Sequence, residues 1–194
     1  MSTAFVVGNG TSRKPIELEN LKKYGPIYAC NAVYRDFKPD YLVAVDAKMV
    51  MEICKTGWQK HNKVYTNHNK QFKDIHSLNI LNPSKGWSSG PTALHLASEH
   101  DHDVIYILGF DYMGVDSGKR YNNVYANTKN YMKEDNSAIY YHNWLRQTED
   151  IFRKYPRIRY CRIIRPDNLQ TTKLNSFVNY TTMLVDDFHL KLEI

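Results

Sequence analysis

The sequence predicts an α/β fold, a Rossmann-like three-layer sandwich with a mainly parallel sheet and one long tyrosine-rich loop. Three observations carry that prediction. Short apolar runs alternate with helix-like segments along the whole chain. The runs are continuously apolar and rich in Val, Ile and Tyr, as strands buried on both faces are. The first three stop abruptly at Gly8, Asn31 and Asp46.

In order, Ala4 to Val7 reads as a strand closing on Gly8-Asn9-Gly10, and 15–24 as a helix with Ile16, Leu18 and Leu21 among charges. Strands follow at 27–30 and 41–45, ending at Asn31 and Asp46. A helix over 47–55 carries Met49, Val50, Ile53 and Cys54, and 63–65 is a further strand. The stretch 66–85 is polar and resists assignment. Pro91 suits a helix's first turn, so 91–99 is helical, with Ala93, Leu94, Leu96 and Ala97 on it. The run 104–109 is a strand leading to Asp111. Residues 112–135 are too long and too rich in Gly, Asn and Tyr for an ordinary connection and read as an active-site lid. An amphipathic helix over 138–155 ends near Pro156, 158–164 is a strand, and 173–194 adds a helix and an edge strand.

At 194 residues, 42% hydrophobic and 24% charged, the chain fits one globular domain spanning 1–194. The first apolar run is too short for a signal peptide, and no stretch approaches the ~18 apolar residues of a membrane span. Three scattered cysteines (Cys30, Cys54, Cys161) without CxxC spacing exclude a disulfide framework or zinc site and point to the cytoplasm. The net charge of +6 and 15 tyrosines invite nucleic acid, since cations neutralise phosphates and aromatic faces stack on bases. The excess charge is local, however: residues 146–173 hold eight Lys or Arg against Glu149, Asp150 and Asp167. That pattern reads as a solvated helix face followed by a strand with outward arginines. A nucleic-acid-binding module, or an inactive nucleotide-binding descendant, is the third functional reading.

Ligands of open parallel sheets bind beyond the strands' carboxyl ends. The rule selects Gly8, Asn9, Gly10, Thr11, Ser12, Asn31, Asp46, Asp111 and Tyr112. Gly8-Asn9-Gly10 would let backbone N–H groups approach a phosphate, as tight turns without ligands also do. Arg13 breaks the dinucleotide GxGxxG pattern, and no GxxxxGK[ST] loop occurs. Ser88-Ser89-Gly90 before Pro91 is a second junction suited either to an anion or to simple capping. His100-Asp101-His102-Asp103 precedes a strand, at the edge opposite the site, and reads as a solvated loop rather than a metal site. His142 lies near the start of the long helix, where the dipole disfavours a charged imidazole and leaves it able to accept a proton.

Gly8-Asn9-Gly10-Thr11-Ser12, Cys30-Asn31, Ser88-Ser89-Gly90, Ile105 to Asp111, and Asp135-Asn136-Ser137 followed by His142 stand in an order and spacing that resemble the bacterial sialyltransferases of glycosyltransferase family 42. The resemblance implies a cytidine monophosphate donor held by Asn9, Asn31, Ser89 and Gly90. It also implies His142 as general base toward a hydroxyl-bearing acceptor, a phosphate-binding Tyr121, and no metal. Three positions depart: Met113 replaces a second phosphate tyrosine, so Tyr112 or Tyr125 would substitute; Gly86 replaces an arginine; Asp46 replaces an amide. A carboxylate facing a phosphate repels it unless a cation intervenes.

Lys38 to Asp46 resembles the PDxxVxxD segment of the domain-of-unknown-function 115 group, which includes archaeal 6-hydroxymethylpterin pyrophosphokinases. That likeness implies Mg²⁺ on Asp46 and Asp111, bridging nucleotide phosphates. The leading expectation is an inverting glycosyltransferase that uses a nucleotide sugar, and the alternative is a Mg²⁺-dependent pyrophosphokinase.

Overall fold

The computed structural model describes residues 1–139, 141–168 and 172–194. Eight strands form one sheet in the order β5-β4-β3-β2-β1-β6-β7-β8, and every pairing is parallel. They are β1 (Thr3–Val7), β2 (Ile27–Cys30), β3 (Tyr41–Val43), β4 (Val64–Asn67), β5 (Asn79–Leu81), β6 (Val104–Leu108), β7 (Arg159–Ile164) and β8 (Tyr180–Leu184). The helices are α1 (Ala47–Thr56), α2 (Ser89–Glu99), a one-turn α3 (Val115–Gly118), α4 (His142–Lys154) and α5 (Val185–Leu192).

The expected three layers are present. Met49, Val50 and Ile53 of α1 and Val185, Phe188 and Leu192 of α5 bury one sheet face with Phe5 and Val7. On the other face, Ala93, Leu94, Leu96 and Ala97 of α2 and Ile151 and Phe152 of α4 pack on Ala4, Val6, Ile105 and Ile107. Continuous apolar strands are what such two-sided burial requires. Among the described residues, no helix is long and apolar enough to cross a membrane.

The chain winds outward from β1 to β5, then returns to add β6 on β1's other side, so the topological switch point lies between β1 and β6. There the two turns touch: Gly8 N–H donates to Leu108 O at 2.8 Å and Gly10 N–H to Gly109 O at 2.9 Å. A Cβ on Gly8 would stand 2.7 Å from Gly109 O, and one on Gly109, whose φ is +66°, would stand 2.7 Å from Gly8 O. Only glycine on both sides permits this approach.

Four expectations are corrected. Residues 15–24 form no α-helix: 3-10 turns occupy Thr11–Arg13 and Leu18–Leu21. The buried pair Leu18 and Leu21 sits at the three-residue repeat of that tighter turn. β5 lies inside the polar stretch 66–85; its pattern was illegible because this edge strand leaves Asn79 and Ile80 exposed. The long helix starts at His142 rather than 138. Finally, Arg162 does not face outward: it is 1% exposed, buried within β7, whereas Arg159 is exposed as expected.

Residues 112–139 fold back over the sheet's carboxyl edge. Asp116 and Ser117 take left-handed backbone inside α3. Val124 N–H donates to Asn9 O and Tyr121 N–H to Asn136 O, both at 2.8 Å. Tyr112, Tyr121 and Tyr125 are buried beneath the segment.

Candidate functional site

A cleft of about 500 Å³ opens at the switch point. Gly8, Asn9, Gly10, Asn31, Asp46, Ser88, Ser89, Gly90, Asp111, Tyr112 and Tyr121 all line it, so residues far apart in sequence converge as the strand-end rule requires. Thr11 instead lines an adjoining cavity of about 710 Å³, which shares Asp111, Tyr121 and Asn122 with the cleft. His142 lines neither. It is exposed at the first residue of α4, its ring stacked on Tyr141 with centroids 5.0 Å apart.

Gly8, Gly10, Thr11 and Ser12 of the glycine turn do not present their amides to a ligand. Gly8 and Gly10 donate across the switch point, Thr11 N–H donates to Asn122 Oδ1 at 2.8 Å, and Ser12 N–H to Asp111 Oδ2 at 3.1 Å. The turn's role is to bring β1 and β6 together and to hold Asn9. The start of α2 is different. Its first bond runs from Thr92 N–H to Ser88 O, no side chain caps it, and the Ser89 and Gly90 N–H groups have no partner among the described residues. The serine hydroxyls are occupied as acceptors, Ser89 Oγ from Val45 N–H at 3.1 Å and Ser88 Oγ from Trp144 Nε1–H at 2.9 Å. Two donors and the positive end of an 11-residue helix are therefore free at the cleft wall.

Two acceptors match them. Asn9 is 7% exposed; its Nδ2 donates to Cys30 O at 3.3 Å and to the Tyr131 hydroxyl at 3.4 Å, while its Oδ1 is buried without a hydrogen bond. Asn31, at a left-handed φ of +55°, likewise keeps a buried Oδ1 without a partner. A buried carbonyl left unpaired costs about 1–3 kcal/mol, so both oxygens favour a ligand that brings N–H or O–H groups.

Asp111 carries a different load from the one the pyrophosphokinase likeness implies. Its Oδ1 accepts from the Ser12 hydroxyl, and its Oδ2 from Ser12 N–H and from Asn122 Nδ2 at 2.9 Å. Both of its oxygens are thus hydrogen-bonded, as those of ligating carboxylates also are, and among the described residues no three His, Cys, Asp or Glu side chains cluster to hold a metal. Asp46 is exposed and caps α1 by accepting from Lys48 N–H at 2.9 Å, which leaves its other oxygen to face the cleft.

Tyr112 is also committed. Its hydroxyl lies 2.8 Å from Thr148 Oγ1, and Thr148 spends its own proton on Trp144 O, so Tyr112 is the donor between them. Its left-handed φ of +53° turns the ring under α4 rather than toward a phosphate. Burial pushes the Tyr121 hydroxyl above its ordinary pKa against the lowering effect of Asn123, keeping it a neutral donor.

Sequence reasoning passed over Trp87 and Trp144, which line the cleft, and Asn122, which closes it. The tryptophans' positions beside Ser88 and on the long helix were available signals; Asn122 has no spacing that marks it. The His100 segment is an exposed turn, as expected, yet two of its rings reach the sheet. His100 Nδ1 and His102 Nε2 lie 2.6 Å and 3.0 Å from the hydroxyl of Tyr28, a fully buried β2 residue. No family model, curated protein or solved structure matches this chain.

Proposed function

We propose that the chain is a nucleotide-sugar-dependent glycosyltransferase, sialyltransferase-like, and that the cleft binds the nucleotide of its donor. The observation that carries this reading is the pairing of opposite needs in one cavity: two buried acceptors, Asn9 Oδ1 and Asn31 Oδ1, and two uncommitted donors, Ser89 N–H and Gly90 N–H. A nucleotide with an exocyclic amine satisfies both sets. Its amine and ribose hydroxyls donate to the asparagines and Asp46, and its phosphate accepts from the α2 terminus.

In the reaction, an acceptor hydroxyl attacks the anomeric carbon in line and a new C–O bond forms. The C–O bond to the nucleotide phosphate breaks, and the hydroxyl proton passes to His142. Tyr121 donates to the departing phosphate; Tyr112, with its proton spent on Thr148, contributes its ring to the wall. His142 is exposed, two residues ahead of Trp144 on the helix that lines the cleft. A well-placed general base is worth roughly 10²- to 10⁴-fold in rate. The segment 112–135 acts as the lid over the donor.

A thermal-shift screen of nucleotides and nucleotide sugars, with and without Mg²⁺, tests the reading, since ligands that bind only the folded state raise the midpoint. Stabilisation by cytidine nucleotides and their sugar conjugates without metal supports it. Stabilisation only by purine triphosphates with Mg²⁺ would transfer the site to the pyrophosphokinase reading, with Asp46 as the metal's carboxylate.

A further inference from the structure

Arg162 is the largest side chain buried below 2% exposure, and it forms no ion pair among the described residues. Among the described residues its Nε and Nη1 have no hydrogen-bond partner, and Nη2 reaches Asn168 O and Oδ1, each at 3.5 Å. An uncompensated buried guanidinium is strongly destabilising, and an apolar residue of similar volume would relieve the core of it. What the charge does have is an aromatic face. Its Cζ lies 5.4 Å from the ring centroid of Tyr112, whose hydroxyl points to Thr148 and which lines the cleft.

The cleft needs such a charge. Among the described residues, its lining contains two carboxylates, Asp46 and Asp111, and no Lys, Arg or His. The other cations near its wall are poorly placed to offset them. Exposed Lys85 lies over Trp87, 5.7 Å from the ring centroid, and Arg13, beside Gly109, directs Nη2 to the Tyr125 hydroxyl. Charges in water are screened, whereas a charge sealed behind a ring is not.

We propose that Arg162 makes the cleft selective for anionic ligands, acting through the ring of Tyr112 without touching the ligand. The proposal rests on reading the cleft as the nucleotide site and adds what sets its preference for phosphate. Each unit of ligand charge on the far side of the ring, roughly 9 Å from the guanidinium, is favoured about twentyfold at an effective dielectric near 20. The effect therefore scales with ligand charge, which a packing role does not.

The test is calorimetric titration of the full chain, as wild type, Arg162→Met, Arg162→Gln and Arg162→Lys, with cytidine, cytidine monophosphate, cytidine diphosphate and inorganic pyrophosphate. The expected result for the two neutral variants is a ladder: cytidine within about twofold of wild type, the monophosphate weaker by at least about twentyfold, and the diphosphate and pyrophosphate weaker still. Arg162→Lys keeps monophosphate affinity within a few-fold of wild type. Equal losses for cytidine and its phosphates, or no loss for the phosphates, would overturn the proposal. If Arg162→Met does not fold, Arg162→Gln carries the same comparison. If wild type binds no nucleotide, the functional reading above fails. The pyrophosphate arm then decides the arginine's role, with equal affinity in wild type and variants, or none in wild type, counting against it.

Discussion

Asn122 donates from Nδ2 to Asp111 Oδ2 at 2.9 Å while its Oδ1 receives Thr11 N–H at 2.8 Å. One side chain thus ties the long loop to the turns after both β1 and β6. Its Nδ2 also donates to Met113 O at 3.0 Å, so Asn122→Ala strands a backbone donor and a carbonyl together and removes one of the bonds to Asp111 Oδ2. The expected loss is about 1–3 kcal/mol, or a melting temperature lowered by about 2–4 °C per kcal/mol, read by calorimetry. An unchanged midpoint would show that the strut carries no load.

His142→Ala should lower transfer by about 10²- to 10⁴-fold while nucleotide affinity stays within a few-fold, because the residue lies outside the cleft lining and its role is proton acceptance. Parallel losses in binding and turnover would make His142 a ligand contact instead. Full activity in the variant would end its assignment as base.

The loop tip is held by a charged clasp. Arg35 donates from Nε and Nη2 to the two oxygens of Glu52, each at 2.8 Å, and from Nη1 to Thr128 Oγ1 and Nη2 to Lys129 O, at 2.8 and 2.9 Å. Burial raises the Glu52 pKa, but Tyr34, Arg35 and Asn130 bonding to its oxygens outweigh that and hold it below the ordinary glutamate value. Glu52→Gln should therefore loosen residues 112–135. Limited proteolysis is expected to cut this segment faster in the variant, and nucleotide to slow the cutting in both proteins. Equal rates throughout would contradict the lid.

Acid should weaken the fold before its carboxylates titrate. Burial is the chief cause that holds His95, His100 and His102 below the ordinary imidazole pKa. The unfolded chain then binds protons more readily than the folded one. This contribution is complete above the ordinary value of about 6.5 and is lost as pH falls through the folded values. Protonated His95 would also face Lys154 Nζ, 3.2 Å from its Nε2. Melting temperature should fall from about pH 8 to about pH 5, and His95→Gln should flatten part of that slope. A flat profile in wild type would refute the assignment.

Most of the fold was legible because two-sided burial writes itself as uninterrupted apolar runs, seen in Ala4 to Val7 and again in Ile105 to Leu108. β5 was not, because Ile80 at an exposed edge has no pattern to obey. Cleft residues at strand ends, such as Asn9 and Asn31, follow from topology alone. Partnerships do not: nothing in the sequence says that Asp111 bonds Ser12 and Asn122, or that Tyr112 spends its proton on Thr148. Arg162 looked like a surface residue because charge in a strand ordinarily faces water, and only its burial beneath the Tyr112 ring shows otherwise.

The central claim is that Asn9 and Asn31 await donor groups of a nucleotide. Titration of the chain with cytidine monophosphate and uridine monophosphate in the presence of a chelator tests it directly. The amine-bearing base should bind one per chain and at least about tenfold more tightly, because the uracil carbonyl at that position leaves the buried oxygens unpaired. Equal affinities, or binding of neither, would contradict the account.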